Sequence, residues 1–428
     1  MDWVIASALL VGAGLGLAAL LARRARRRLP PPTAVEPLGP EPCPPQPYGT
    51  DPREERFSFT RLPEPLPVHP RSPRLADQPE AWRRRMRDHG DALRSRGVAE
   101  ITFVHGTFVG SDPFALLAAL QRASPSIRPL VQRRLGASIK RLSDRLTKDA
   151  GNFERPWVEL FGAATRLPCS LFVWSSENTH TARLSAAVRL VGHLAERFEG
   201  HRASEGGRRA LLVGHSHAGQ VFALALQLVH AVEHAPLLLD VAERLGEDRD
   251  WLSLHLERLR ELELEVVTMG TPVRYGWPRE SQARLLHIVN HRGAEPVGGR
   301  LDGVRSTRDG DYVQQWGVAG SDLPAPSPQL RQLNGILDEA LGPGCAPRIW
   351  LDNLRHRRRV HHGGHTLLVD YRDDDPRGRP NFLATNFGHS VYTRRRSMEF
   401  LTAAIAGALP VPRTTPRPLL SAGTEAGR

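Results

Sequence analysis

The sequence predicts an α/β fold in which a mostly parallel sheet carries helices on both faces. Short apolar runs of strand length alternate with longer segments of helical periodicity, which is the pattern of β–α–β units. Apolar residues make up 40% of the 428 residues, enough for one large domain with extensions. Polar residues follow several of the strand-like runs, and parallel sheets gather their chemistry beyond the carboxyl ends of their strands.

The chain begins with an uncharged apolar run at residues 3–22, followed directly by an arginine-rich segment at residues 23–28. About 20 residues at about 1.5 Å each cross a bilayer core of about 30 Å. The sequence therefore predicts a single transmembrane helix with a basic flank over residues 1–28. Because basic flanks stay on the cytoplasmic side, the remaining chain is expected in the cytoplasm, with the membrane as a partner.

Composition divides the rest of the chain into three further parts. Residues 29–75 are rich in proline and lack apolar periodicity, which predicts a disordered linker. Residues 76–409 carry the alternating pattern and form the predicted α/β domain. Within it, residues of about 112–150 combine helical apolar spacing with many basic side chains, and we interpret them as a helical cap. Residues 410–428 are expected to be a disordered tail.

Strand-like runs are predicted near residues 100–108, 171–174, 210–213, 265–269, 284–290 and 366–371. Helical periodicity is found near residues 78–97, 182–199 and 398–409, and in a segment at 229–263 that is broken near Gly246. This order places a helix between most successive strands.

Residues 211–229 contain the candidate nucleophile. An apolar strand ends in Gly214-His215-Ser216-His217-Ala218, and a second apolar run then has the character of a helix. A serine on a sharp turn between strand and helix is held in a strained backbone conformation that exposes its hydroxyl. Gly214 and the small Ala218 allow the strand to pass close to the helix. Alanine here departs from the strict G-x-S-x-G pattern, and is its mildest replacement.

Five further segments follow predicted strands or their loops. They are His105-Gly106-Thr107, Trp174-Ser175-Ser176-Glu177-Asn178 with Arg183, Gly270-Thr271-Pro272, Glu295-Pro296-Val297 and Gly388-His389-Ser390. Together with the turn at Ser216, they make residues 98–408 resemble a lipase-type α/β-hydrolase, a bacterial serine hydrolase with an HSHGG-like nucleophile elbow. The order and spacing of these segments are specific for the fold and unspecific for the substrate.

The resemblance implies a nucleophile, an acid and a histidine in that order along the chain. Ser216 is the expected nucleophile and His389 the expected base. Glu295 is the expected acid, in place of the usual aspartate, and Asp302 is the reserve. The backbone N–H groups of Thr107 and His217 are expected to form the oxyanion hole. The implied reaction is cleavage of a carboxylic ester, with no cofactor and no metal. The predicted membrane anchor and basic cap add the hypothesis that the substrates are lipid esters.

Three other interpretations of the sequence compete with an ester hydrolase: nucleic-acid binding, a metal site and a scaffold without activity. The net charge of +12 suits nucleic acid, yet the arginines are dispersed and no recognised binding module appears, so nucleic acid is not expected as a partner. His361, His362 and His365 are clustered, but acidic or cysteine residues at matching spacing are missing. A catalytically degenerate scaffold that binds a partner or an anionic membrane surface is the alternative function. The three scattered cysteines indicate a reducing compartment.

Overall fold

The structure, a computed structural model, contains one sheet of seven strands in which every neighbouring pair is parallel. The strands are β1 (Arg56–Arg61), β2 (Val98–Val104), β3 (Cys169–Phe172), β4 (Arg209–His215), β5 (Glu263–Met269), β6 (Leu285–Asn290) and β7 (His365–Asp370). Their order across the sheet is β1-β7-β6-β5-β4-β2-β3, which leaves β4 and β5 near the centre. Parallel strands in such a position are covered on both faces, and all seven residues of β4 are buried.

The structure describes residues 56–69, 72–107, 137–138, 140–141, 149–198, 209–278, 281, 284–291, 310–318, 327–341, 361, 363–371 and 385–409. Nine α-helices have bounds within these ranges. They are α1 (Glu80–Ser95), α2 (Arg155–Thr165), α3 (His180–Phe198), α4 (Ala218–Val229), α5 (Ala235–Arg244), α6 (Arg249–Arg260), α7 (Tyr312–Val318), α8 (Pro328–Leu341) and α9 (Met398–Ala408).

Two apolar layers, one on each face of the sheet, form the core. In one layer, α3, α4, α5, α6 and α8 pack against strand side chains on the same face of the sheet, such as Leu212 and Val266. The other joins α1, α2 and α9 to the alternate side chains of the same strands, among them Val213 and Val267. Because side chains of a strand point alternately to its two faces, adjacent residues supply opposite layers. The predicted parallel sheet with helices on both faces is therefore present.

The helix α4 lies at the centre of the first layer. Every one of its residues from Ala218 to Val229 is buried, which is why this run shows no polar face. The predicted break near Gly246 is also found, since α5 ends at Arg244 and α6 begins at Arg249. The side chain of Asp248 accepts a hydrogen bond from Trp251 N at 2.9 Å and caps the new helix.

The sequence reasoning missed β1, which lies inside the segment 29–75 predicted as a linker. Residues 56–61 pair in parallel with β7 at the edge of the sheet. Phe57 and Phe59 are 58% and 53% exposed, so the strand buries little apolar surface of its own. Its alternation of apolar and polar residues is a strand pattern, but the flanking prolines favoured a linker in the sequence interpretation.

The transmembrane prediction needs correction. Among the helices of the described ranges, none is both long and apolar enough to cross a bilayer. The longest of them, the 19-residue α3, carries Arg183, Arg189, Glu196 and Arg197. The fold class was therefore wrong in its membrane-spanning helix, and the single-pass membrane localisation falls with it. Residues 3–22, on which that prediction rested, lie outside the described residues.

Several other predictions also fall outside the described residues. They concern most of the cap at 112–150, the tail at 410–428, Glu295, Asp302 and His362. Of the cap, Lys140 is described: it is buried, and its Nζ donates a hydrogen bond to Asn152 Oδ1 at 3.2 Å.

Candidate active site

Ser216 occupies the sharp turn between β4 and α4 that the sequence predicts. Its φ of 58° lies in the left-handed region, which non-glycine residues adopt at a cost of about 1–3 kcal/mol. The backbone holds this conformation from both sides. Ser216 N donates to Met269 O at 2.8 Å, and Ser216 O accepts from Gly219 N at 3.2 Å and from Thr271 Oγ1 at 2.7 Å.

Close packing around this turn requires small residues. A Cβ atom built on Gly214 would lie 2.5 Å from the ring of Phe222 and 3.0 Å from the Cβ of Ala218. A Cβ on Gly106 would lie 2.7 Å from the Cβ of Ser216. The strand therefore passes close to α4 as predicted, and the segment after β2 lies directly against the serine.

Thr107 and His217, the predicted oxyanion residues, are brought together. Thr107 follows β2, whereas His217 directly precedes α4. The Oγ1 of Thr107 is hydrogen-bonded to the Nδ1 of His217 at 2.8 Å. This bond ties together the two segments whose N–H groups are expected to stabilise an oxyanion.

His389 lies in the turn after β7, and its ring is positioned by a carboxylate. His389 Nδ1 donates to Asp311 Oδ2 at 2.7 Å, and Asp311 is completely buried. Asp311 also caps α7, because its Oδ1 accepts from Gln314 N at 2.8 Å. An imidazole held this way has Nε2 free to exchange a proton, which is the arrangement of a histidine general base with its carboxylate.

Sequence reasoning missed Asp311. It selected the loop after β6, and Asp311 lies beyond that strand, its backbone N donating to the O of Asn290 at 3.0 Å. Glu295 and Asp302, which were the expected acid and its reserve, lie outside the described residues. The one local signal for Asp311 was its position before a short helix, where aspartate is a favoured cap. That signal indicates a helix start and carries no information about His389.

His215, which precedes the serine, links the two halves of the site. Its Nε2 donates to His389 O at 2.9 Å, and the two ring centroids are 4.5 Å apart. Burial, and to a lesser extent the nearby His389, lower the pKa of His215 to about 3, so the His215 ring is neutral. The contact attaches the loop of His389 to the end of β4.

The segment after β3 forms a buried polar cluster beside α3. Arg183 donates to Asn178 Oδ1 at 2.8 Å and to the hydroxyl of Tyr275 at 2.9 Å. His180 also bonds this hydroxyl, and Arg274 reaches His180 Nε2 at 3.1 Å. These contacts connect the exit loop of β3 to the loop after β5.

The histidines considered as metal ligands have other contacts. His361 Nε2 donates to Thr271 O at 3.1 Å, and its ring stacks on His287 with centroids 3.9 Å apart. His365 Nε2 is hydrogen-bonded to Ser58 Oγ at 2.8 Å. Within the described part of the chain, no group of three or more histidine, cysteine, aspartate or glutamate residues is arranged to hold a metal ion.

No family model matches the chain, and no curated protein matches it. A solved structure from Legionella pneumophila, described as a "putative hydrolase", is 12% identical, with coverage of 73% of this chain and 79% of that chain. Its TM-score is 0.25, and a likeness of this size carries no argument about fold or activity.

Proposed function

We propose that this protein is a serine hydrolase that cleaves carboxylic esters through an acyl-enzyme. The observation that carries the proposal is Ser216, a serine with left-handed backbone between β4 and α4, in a molecule that also pairs His389 with Asp311. The nearby His215 joins the serine's strand to the loop of His389. Such a set activates a hydroxyl that is otherwise a weak nucleophile.

In the proposed reaction, Ser216 Oγ attacks the ester carbonyl while His389 Nε2 takes the hydroxyl proton. The N–H groups of Thr107 and His217 stabilise the oxyanion of the tetrahedral intermediate. His389 then gives its proton to the leaving alcohol, and the acyl group stays on Ser216. Water attacks the acyl-enzyme with His389 as base, which releases the acid and restores the serine. Asp311 stabilises the imidazolium in both steps.

Asp311 takes the role of the acid in this proposal instead of Glu295. Its carboxylate is in direct contact with His389 and is fully buried, so the ion pair that forms during reaction is shielded from water. The hypothesis of lipid esters rested on the membrane anchor together with the basic cap, and it is not part of this proposal.

The test is labelling of the purified full chain with a fluorophosphonate, followed by hydrolysis of p-nitrophenyl esters of graded acyl length. Labelling and hydrolysis are expected in the wild type and should vanish in Ser216→Ala. Ser390→Ala is the matched control, since this buried serine follows His389 directly, and it should still be labelled. A folded wild type that neither labels nor hydrolyses any ester would contradict the proposal and favour a degenerate scaffold.

A further inference from the structure

The hydroxyl of Tyr392 makes a second contact with the carboxylate of Asp311. Tyr392 Oη donates to Asp311 Oδ2 at 2.7 Å, the same oxygen that accepts from His389. Both Tyr392 and Asp311 are completely buried. A buried carboxylate is costly unless hydrogen bonds compensate for the lost water, and here Oδ1 is also bonded, by Gln314 N.

The direction of the Tyr392 hydrogen bond is fixed by its other neighbour. Asn290 N donates to Tyr392 Oη at 2.8 Å. A backbone N–H can only donate, so it occupies a lone pair of the hydroxyl oxygen and leaves the tyrosine proton for Asp311. The hydrogen bonds therefore have one direction: Asn290 N donates to Tyr392 Oη, and Tyr392 Oη donates to Asp311 Oδ2. The same Oδ2 atom accepts the hydrogen bond of His389 Nδ1.

The backbone supports this arrangement at both ends. Asn290, the last residue of β6, also accepts from Asp311 N at 3.0 Å and donates through Nδ2 to Gly388 O at 2.9 Å. Tyr392 lies only three positions after His389. The loop after β7 thus supplies both the tyrosine and the histidine that hold the carboxylate, and Asn290 at the end of β6 bonds this loop.

We infer that Tyr392 is a positioning residue that orients Asp311 toward His389 and limits how strongly the carboxylate attracts the imidazole proton. Two donors on one oxygen share its negative charge, so each hydrogen bond weakens the other's hold. The inference rests on the proposed function, in which the Asp311–His389 pair serves Ser216. It assigns no contact between Tyr392 and the substrate.

Three other titratable groups, His215, Tyr371 and Tyr392 itself, lie around the Asp311–His389 pair. His215 faces His389 with ring centroids 4.5 Å apart, and Tyr371 packs edge-on against Tyr392 at 5.4 Å. Burial lowers the pKa of His215, and burial raises the pKa of Tyr371 and Tyr392 well above the usual tyrosine range. These three groups therefore stay neutral between pH 5 and 9.

The test compares Tyr392→Phe, which removes one oxygen atom, with Tyr371→Phe, which removes a hydroxyl that does not serve Asp311. Without its second donor, Asp311 should hold the His389 proton more tightly. We expect the acid limb of the kcat/KM profile for a p-nitrophenyl ester to move about half a pH unit upward in Tyr392→Phe. We also expect kcat to fall about 3- to 10-fold, whereas Tyr371→Phe should match the wild type.

A double-mutant cycle separates this role from general stability. If Tyr392 acts through Asp311, Tyr392→Phe should have no further effect on kcat in an Asp311→Asn background. Additive losses would overturn the inference, as would an acid limb that stays in place or moves downward. Thermal unfolding of each variant shows whether it is folded.

The His389 titration can also be followed by NMR of ring-labelled histidine, with His389→Gln to assign the signal. This NMR measurement does not require the protein to turn over a substrate. If the chain proves to hydrolyse no ester, the proposed function fails, while an upward shift of the His389 midpoint in Tyr392→Phe would still support the inference. If the wild type is active and neither the midpoint nor kcat changes, the inference alone is overturned.

Discussion

Asp311 and His389 are 78 positions apart in the chain, yet a hydrogen bond of 2.7 Å joins their side chains. The contact depends on two loops, one after β6 and one after β7, that reach the same edge of the sheet. Backbone bonds between these loops, such as Tyr312 N to Phe387 O at 2.9 Å, hold them in place. The acid and the base of the proposed triad are therefore positioned by the fold around them.

Asp311→Asn should lower kcat for a p-nitrophenyl ester by about 10³- to 10⁴-fold with little change in KM. The amide keeps the shape of the side chain but cannot stabilise the imidazolium or hold the same tautomer. Steady-state kinetics of the purified variant provides the measurement. Glu295→Gln and Asp302→Asn are the contrasting variants. A comparable loss of kcat in either of them, with the kcat of Asp311→Asn unchanged, would show that Glu295 or Asp302 is the acid of the triad.

Thr107→Val should reduce kcat about 3- to 10-fold, because valine keeps the shape of threonine but cannot bond His217 Nδ1. Thr107→Ser retains a hydroxyl and should keep most of the activity. The measurement is kcat and the rate of fluorophosphonate labelling of all three proteins. Equal rates in the valine and serine variants would show that the side-chain bond does not hold the oxyanion segments.

Gly106→Ala should abolish most of the labelling of Ser216 and destabilise the fold by about 1–3 kcal/mol. The added Cβ would lie 2.7 Å from the Cβ of Ser216, so the strand end or the serine turn has to move. Gly335→Ala in α8 is the matched control, because nothing lies within 4 Å of its added Cβ. This change should stabilise the helix by up to about 1 kcal/mol. Urea unfolding compares the two variants, and similar stabilities would contradict the packing argument.

Glu265→Gln should change how the stability of the protein depends on pH. Burial raises the pKa of Glu265 to about 7, although Arg284 and Arg209 oppose the shift. The folded state therefore holds a proton that the unfolded state has released, so the stability of the wild type falls as the pH rises from about 4.5 to about 7. The variant lacks this ionisation and should gain on the order of 2–3 kcal/mol over the wild type between pH 5 and pH 8.

Urea unfolding at pH 5 and pH 8 measures this difference. Glu257→Gln, which changes an exposed glutamate on α6, is the control and should follow the wild type. The same pH dependence in wild type and Glu265→Gln would mean that the buried carboxyl does not titrate in this range.

Local sequence signals were sufficient for the serine turn and for much of the sheet. The residue types of one continuous segment, residues 211–229, predict the strand, turn and helix around Ser216, and bonds from Met269 and Thr271 then hold the turn in the folded protein. Six of the seven strands were predicted for the same reason. The edge strand β1 was not, because its exposed Phe57 and Phe59 provide little burial and prolines flank it.

What the sequence determined by itself was the α/β alternation, the turn that carries Ser216 and the place of His389 after the last strand. Only the tertiary structure decided that Asp311 supports His389, and that Tyr392 supports Asp311 in turn. Local patterns report which conformation a short segment prefers, and none of the carboxylates that follow β6 has a local feature that links it to His389. The choice among them depends on the paths of distant loops, and those paths are fixed by packing on the completed sheet.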